Sequence, residues 1–142
     1  MKVAGTKRFV LDASVAAAWC YEGTKLAESV LESLSKGAEA LVPSLWPLEV
    51  ANVLLVSERR GRITIAQVTA LLRRIARLPI SVIPVGAEQA FEQLLPLARQ
   101  QRLTHYDAAY LELALRQGLP IATLDAEIRQ AANVTGVPLL SS

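Results

Sequence analysis

Short apolar runs alternate with longer segments of helical periodicity along this chain, and this alternation is what most constrains its fold. The runs predicted as strands are Arg8–Asp12, Glu39–Val42, Ser81–Pro84, Leu119–Thr123 and the last short stretch Val137–Leu140. Short strands separated by helices are typical of a parallel sheet with helices packed on both faces. We therefore predict an α/β fold with a parallel sheet of about four to five strands, in one domain spanning residues 1–142.

The segments between these runs carry apolar residues three or four positions apart, as one face of a helix requires. The predicted helices are Ala13–Trp19, Thr24–Ser35, Ser44–Gly61, Thr64–Leu78, Ala87–Gln101, Thr104–Gln117 and Asp125–Asn133. Asp12 and Asp125 are natural N-caps, and Thr104 and Asp107 have the spacing of a capping box. Pro96 is expected to kink or break its helix, because proline has no N–H for the helical hydrogen bond.

Apolar stretches in this chain are short compared with the roughly 20 residues that cross a bilayer. The first residues also lack the long apolar region and cleavage site of a signal peptide. A hydrophobic fraction of 52% with 20% charged residues fits a folded domain rather than a disordered chain. We therefore expect a cytoplasmic protein without a membrane partner.

Cys20 and His105 are the only residues of their types. A single cysteine excludes an intrachain disulfide and leaves a thiolate zinc site without partners. A single histidine makes a histidine-ligated metal a poor expectation and removes any relay that uses a second histidine. Whatever chemistry this chain performs must therefore rely on carboxylates or lysines.

Aspartate is rare in this chain, with three residues against ten glutamates, and its positions are informative. Asp12 and Asp125 each follow a predicted strand, and Asp107 lies in the first turn of a predicted helix. Each of them taken alone is explained by helix capping. Taken together they indicate more, because parallel strands end at the same edge of a sheet and two carboxylates there repel each other unless a cation lies between them.

Glu49 gives an independent line of argument. It lies with Asn52 on one face of a predicted helix that is otherwise apolar nearly all round, which predicts a buried helix. A buried carboxylate must be paired or metal-bound, and a salt bridge to an arginine is the alternative explanation. Together with Asp107, whose helix is similarly apolar, these residues form a predicted cluster of four acids.

Four carboxylates without histidine or thiolate ligands favour Mg²⁺ or Mn²⁺, which prefer oxygen ligands and keep several waters. Zinc is disfavoured by the same argument. Such ions typically bind phosphate substrates, where they activate a water and neutralise the charge of the transition state. Phosphodiester hydrolysis is the reaction that this cluster predicts.

Four segments in order along the chain resemble the PIN-domain ribonucleases, and within them the VapC-like toxins of prokaryotic toxin–antitoxin pairs. They are Val10–Val15 with the leading acid, Pro43–Asn52 with the glutamate, Leu103–Ala114 with the third acid and Ala122–Asp125 with the fourth. The resemblance covers the whole chain and implies a PIN-like, three-layer α/β fold and a metal-dependent endoribonuclease. It departs from the family after the first helix, where Cys20–Glu22 replaces a proline and an acid.

By this resemblance Asp12, Glu49, Asp107 and Asp125 are the catalytic, metal-binding acids. Asp12 and Asp107 are then expected to contact Mg²⁺ or Mn²⁺ directly, and the other two partly through waters. Ser14, Asn52 and Thr123 are expected to orient the carboxylates and the waters around the ion, because hydroxyls and amides do so without adding charge. Ordinary capping and turn hydrogen bonds are the alternative explanation for these three side chains.

The resemblance also implies partners. Such toxins usually form homodimers and are held inactive by an antitoxin protein whose tail reaches the active site. The predicted helices from residue 44 to 78 carry more apolar residues than one core face needs, which is compatible with interfaces or simply with core. Arg59, Arg60 and Arg62 are candidate contacts to the phosphates of the RNA substrate, with a solvated surface as the alternative.

Two other function classes fit this sequence less well. A haloacid-dehalogenase-type phosphatase needs a second acid where Ser14 stands and a lysine late in the chain, but no lysine follows Lys36. The same absence argues against a phosphate-accepting receiver domain. Two alternatives stay open: a catalytically silent regulatory binding module with a PIN fold, and a housekeeping RNA-processing nuclease with the same chemistry.

Overall fold

The computed structural model describes all 142 residues, Met1–Ser142, and contains one four-stranded parallel sheet. The strands are β1 (Arg8–Leu11), β2 (Glu39–Pro43), β3 (Ile80–Ile83) and β4 (Ile121–Ala122). Their order across the sheet is β3-β2-β1-β4, and every neighbouring pair is parallel. The predicted α/β fold with a short parallel sheet is confirmed, with four strands.

Helices connect the strands, as parallel pairing requires. They are α1 (Ala13–Ala18), α2 (Lys25–Ser35), α3 (Trp46–Arg59), α4 (Ile65–Ile75), α5 (Leu95–Gln101), α6 (His105–Gln117) and α7 (Ala126–Thr135). A π-helix, Gln89–Leu94, directly precedes α5. None of these helices is long and apolar enough to cross a membrane.

The centre of the core is β1, whose residues Phe9, Val10 and Leu11 are fully buried. Successive side chains of a strand point to opposite faces of the sheet, so this burial means that both faces are covered. Helix α6 packs against β1 and β2, and its residues Tyr110 and Leu111 are fully buried as well. The predicted arrangement with helices on both faces of the sheet is thus confirmed.

The helix ends follow the predicted caps only in part. Thr64 begins α4 with a complete capping box, in which its side chain and that of Gln67 each accept a backbone N–H. Thr104 accepts the N–H of Asp107 at 3.1 Å, but the reciprocal bond that would complete the predicted capping box is absent. The Asp107 carboxylate is therefore not used to cap its own helix.

The expectation that α3 is buried all round is wrong. Trp46, Val50 and Leu54 are buried, but Leu48 is 75% exposed, and Val53 is exposed as well. The helix lies on the surface of the domain and turns one face to the core. It also begins later than Ser44, since Leu45 occupies the N-cap position.

The end of the chain is less regular than predicted. Only Ile121–Ala122 of the run 119–123 forms a strand, and the stretch 137–140 forms a single bridge, between Leu139 and Ile121, instead of a fifth strand. Proline explains the late start of β4 and the single bridge, because Pro120 and Pro138 have no N–H to extend the ladder. The predicted break at Pro96 is present in the form of the π-helix, which ends two residues before this proline.

The burial of Leu111 gives a test of the core. Leu111→Ala removes a fully buried side chain of α6, so we expect the free energy of unfolding to fall by about 2–5 kcal/mol. Leu115→Ala on the same helix is the matched control, because Leu115 is 43% exposed. Urea unfolding of both variants measures the difference, and equal losses would contradict the packing described above.

Candidate active site

The topology brings the four predicted acids to one edge of the sheet. Asp12 follows β1, Asp125 lies just beyond β4, and Glu49 is in the first turn of α3, which begins where β2 ends. Helix α6 leads back to the start of β4, so its first turn, with Asp107, lies at the same carboxyl edge. This edge is where ligands bind in open parallel sheets.

Asp12 is the most buried of the four, at 5% exposure. Its Oδ2 atom accepts hydrogen bonds from Ser14 Oγ at 2.6 Å and from Thr123 Oγ1 at 2.8 Å. It occupies the N-cap position of α1, but its side chain makes no capping bond, so the capping explanation for this residue is wrong. Burial raises the pKa of the Asp12 carboxyl despite the two hydroxyl donors.

Backbone N–H groups fix the two hydroxyls in turn. Ser14 Oγ accepts from the N–H of Leu124, and Thr123 Oγ1 accepts from the N–H of Asp125, each at 3.0 Å. Because each oxygen accepts an N–H, its own hydrogen is free to point at Asp12. Two hydroxyls therefore tie the end of β1 to the segment that carries Asp125.

Asp125 itself caps α7, as predicted, since its Oδ1 atom accepts the N–H of Ile128 at 2.9 Å. Arg129 lies one turn further along α7 and donates to the carbonyl of Thr123 at 2.9 Å. This arginine holds the backbone of the segment and forms no salt bridge with any acid. Capping uses one oxygen of Asp125 and leaves the second available to a ligand.

Glu49 is half-buried, and its Oε1 atom accepts a hydrogen bond of 2.5 Å from the hydroxyl of Tyr110. The alternative of a salt bridge to an arginine is wrong, because Glu49 pairs with no cation. Burial raises the pKa of Glu49, and burial together with the Glu49 contact raises the pKa of Tyr110 above its ordinary value. The pair joins α3 to α6 across the site.

The pKa of Asp107 shows most clearly that the other three acids lie near it. Burial and the negative charges of the other three acids together raise the pKa of Asp107 from 3.8 to about 6, with burial contributing most. The salt bridges of the structure all lie elsewhere, so no cation of the protein offsets this repulsion. The four carboxylates therefore share one electrostatic environment of negative potential.

The donor set fits a hard divalent cation, since it consists of carboxylate and hydroxyl oxygens. No three acidic, histidine or cysteine side chains are grouped closely enough to enclose an ion by themselves. Mg²⁺ does not need such an enclosure, because it usually keeps several waters and binds one or two carboxylates directly. Asp12 and Asp107 are the acids that we would assign to hold it, with Glu49 and Asp125 beside them.

The remaining predicted residues lie further out. Asn52 is exposed on α3 and donates no hydrogen bond to the acids, so its orienting role stays a prediction. Arg59, Arg60 and Arg62 are exposed at the far end of α3. Arg59 is ten positions beyond Glu49, about 15 Å along a helix axis, so these arginines do not line the acids, and their contact with RNA stays a prediction.

Tyr110 is the site residue that received no role from the sequence. It lies three positions after Asp107, on the same face of α6, and that spacing is the signal that could have identified it. The tyrosine is fully buried and its hydroxyl reaches Glu49, so it fixes the rotamer of a carboxylate that has no other side-chain partner.

Comparisons with known proteins agree with this fold. The PIN domain family matches residues 9–134 of the chain. PAE2754 from Pyrobaculum aerophilum has a similar structure, with a TM-score of 0.68 and 23% identity over 89% of this chain and 79% of that chain. Similar structures also occur in a toxin–antitoxin complex from Klebsiella pneumoniae, with a TM-score of 0.58 and 13% identity over 94% of this chain and 96% of that chain.

A third similar structure is VapBC2 from Rickettsia felis, bound to a DNA fragment from their promoter. Its TM-score is 0.62, with 14% identity over 94% of this chain and 97% of that chain. At identities this low the structural likenesses establish a shared fold and nothing finer. Among curated proteins, none matches the chain.

The raised pKa of Asp107 predicts a stability effect in the absence of metal. The folded state holds this proton more tightly than the unfolded chain, so stability falls as the pH rises from about 4 through the folded pKa of about 6. We expect Asp107→Asn in EDTA to raise the free energy of unfolding at pH 7.5 by about 1 kcal/mol, allowing for solvent screening of a half-buried group.

The matched control is Glu28→Gln, because Glu28 also lies in the first turn of a helix but is exposed and remote from the acids. Urea unfolding at pH 7.5 and pH 4.5 measures both variants. The gain should appear only for Asp107→Asn and should shrink at pH 4.5. An asparagine variant that is no more stable than the wild type at pH 7.5 would show that the acids do not repel one another as described.

Proposed function

This chain belongs to the PIN domain family, and on that basis we propose that it is a Mg²⁺- or Mn²⁺-dependent endoribonuclease, the toxin of a toxin–antitoxin pair. The observation that carries the proposal is the convergence of four carboxylates at one sheet edge without a compensating protein cation. Such an arrangement destabilises the fold unless it serves to bind a cation.

The proposed reaction is hydrolysis of an RNA phosphodiester bond by water. Mg²⁺ or Mn²⁺, when bound, would supply a water of lowered pKa and positive charge near the phosphate. Asp12 and Asp107 would hold the ion, while Glu49 and Asp125 would accept hydrogen bonds from the attacking water and so orient it. Ser14 and Thr123 keep Asp12 in one orientation, and Tyr110 does the same for Glu49.

A cleavage assay tests the proposal. Purified protein should cut a mixed pool of cellular RNA with Mg²⁺ or Mn²⁺ and should be silent in EDTA. We expect Asp12→Asn and Asp107→Asn to lower the cleavage rate by about 100-fold or more, and Glu49→Gln and Asp125→Asn to lower it as well. Glu28→Gln, with the same charge change outside the site, should cut like the wild type.

Two results would contradict the assignment. Cleavage that persists in EDTA, or in correctly folded Asp12→Asn protein, would mean that the activity does not depend on this cluster. A folded wild-type protein that cuts no RNA with any divalent cation would favour the catalytically silent binding module. Circular dichroism of each variant shows whether loss of activity follows from loss of fold.

The proposed partners are an antitoxin protein and a second copy of the chain. Apolar side chains that the core leaves exposed support this part of the proposal, namely Leu48, Val53 and Leu55 on α3 and Ile65 and Leu72 on α4. No residue of α4 is buried, which is unusual for a helix with a strongly apolar face. The toxin–antitoxin complexes among the similar structures make an inhibitory protein the natural candidate to cover such a surface.

Co-expression with the product of the adjacent gene distinguishes a toxin from a housekeeping nuclease. For a toxin we expect the two proteins to purify together and cleavage to be suppressed. Leu48→Asp should weaken the complex, because it places a charge in the proposed apolar interface. Val134→Asp, at an exposed site on α7, is the control that should leave the complex intact. Cleavage that no neighbouring product suppresses would favour the housekeeping nuclease.

A further inference from the structure

Two aromatic side chains are unusually exposed for this chain. Phe91 in the π-helix is 71% exposed, and Tyr106 in the first turn of α6 is 66% exposed, whereas Phe9, Trp46 and Tyr110 are buried. Exposing an aromatic ring to water is unfavourable, and exposed apolar surface commonly marks a site that binds a ligand or another macromolecule. Their position relative to the acids indicates which class of ligand they bind.

Hydrogen bonds hold the two aromatic segments against each other. His105 Nε2 is 2.6 Å from the carbonyl oxygen of Ala90, so the residues just before Tyr106 and just before Phe91 are joined directly. Further along, Gln89 donates to Glu112 at 2.8 Å, which attaches the π-helix to the next turns of α6. The rings therefore project from one rigid unit and not from a mobile loop.

One end of this unit adjoins the acid cluster through Tyr106. Tyr106 directly precedes Asp107, and the helical segment with Phe91 begins soon after β3 reaches the carboxyl edge of the sheet. Stacking on an aromatic ring suits an unpaired base of any identity, since every base has a flat π-face.

Arg102 is close in sequence to the same segment, four residues before Tyr106. It connects α5 to α6 and makes no salt bridge. It lines a groove of about 540 Å³, together with Gln101, Gln130 and one acid, Glu127. Its φ of 55° lies in the left-handed region, which glycine adopts without strain and which Gly118 and Gly136 supply after α6 and α7. A functional role of its side chain would explain why an arginine, and not a glycine, occupies this position.

We propose that Phe91, Arg102 and Tyr106 form a flanking site that binds single-stranded RNA beside the scissile phosphate, with the rings stacking one or two bases and Arg102 binding a backbone phosphate. The proposal rests on the proposed nuclease function and names how that site selects unpaired RNA. It accounts for exposed rings and a strained, unpaired arginine that the folded chain itself does not require.

The test uses the Asp12→Asn background in EDTA, where RNA is bound without being cut, and a fluorescent ten-nucleotide single-stranded RNA as the probe. We expect Tyr106→Ala and Phe91→Ala each to weaken binding by about 10-fold, and Tyr106→Phe to bind like its parent because the ring is kept. Tyr106→Leu, which keeps apolar area without a π-face, should bind as weakly as the alanine variant. Leu115→Ala, at another exposed apolar site, is the control.

Arg102→Gly is expected to change stability and RNA binding in opposite directions. The glycine relieves the left-handed backbone, so the melting temperature should rise, while RNA binding weakens and the slope of log affinity against log salt falls by about 0.7 for the lost phosphate contact. A purely structural arginine would change stability alone. Arg77→Ala is the matched loss of charge, because Arg77 is also exposed and makes no salt bridge.

The outcomes separate the flanking site from the nuclease itself. If the wild type cuts RNA but Phe91→Ala and Tyr106→Ala bind and cut as it does, the flanking site is wrong and the nuclease stands. If these variants instead change the oligomeric mass in sedimentation and leave RNA affinity unchanged, the rings serve a protein interface and the proposal is overturned. A wild type that neither binds nor cuts RNA overturns both. A raised KM with an unchanged kcat in the cutting background supports the flanking site.

Discussion

The structure depends on a carboxylate placed at the end of its most buried strand. Asp12 continues β1 directly: its N–H donates to the carbonyl of Ala122 in β4, and its carboxylate receives the hydroxyls of Ser14 and Thr123. An unpaired carboxylate at such a depth is destabilising by several kcal/mol, and two neutral donors offset only part of that penalty. The part of this penalty that the hydroxyls do not offset shows as the raised pKa of Asp12. The hydrogen bonds that Asp12 accepts also fix the backbone of the segment that carries Asp125.

The same constraint explains why the cluster is repulsive as a whole. Helices α3 and α6 bring Glu49 and Asp107 to the edge where β1 and β4 end, and Tyr110 fixes Glu49 from the opposite side. Hydroxyl groups donate to Asp12 and Glu49, and no lysine or arginine forms a salt bridge with any of the four acids. A site built this way holds its acids at fixed positions while leaving the neutralising charge to come from outside, which is the electrostatic preorganisation that a metal-dependent hydrolase needs.

The sequence predicted the parallel sheet and the placement of the acids because both depend on local patterns. Rare aspartates directly after apolar runs, at Asp12 and Asp125, locate strand ends, and parallel strands share an edge. Features that depend on distant partners were not predictable. Hydropathy does not show which face of α3 the core covers, so the sequence predicted a helix buried all round, whereas Leu48 is exposed. The contact between Glu49 and Tyr110 joins residues 61 positions apart. The fifth strand is missing because Pro138 cannot donate to the ladder. That effect depends on which residue of β4 it faces, which the sequence does not show.

Binding of the divalent cation by the cluster is the central claim, and Mn²⁺ measures it directly because the free ion has a strong paramagnetic resonance signal. A titration of metal-free protein at pH 7.5 should show saturable loss of the free-ion signal for the wild type, and clearly weaker uptake for Asp12→Asn and Asp107→Asn, while Glu28→Gln binds like the wild type. Uptake that is equally weak in all four proteins, or equally strong, would contradict the assignment of these carboxylates to a metal-dependent active site.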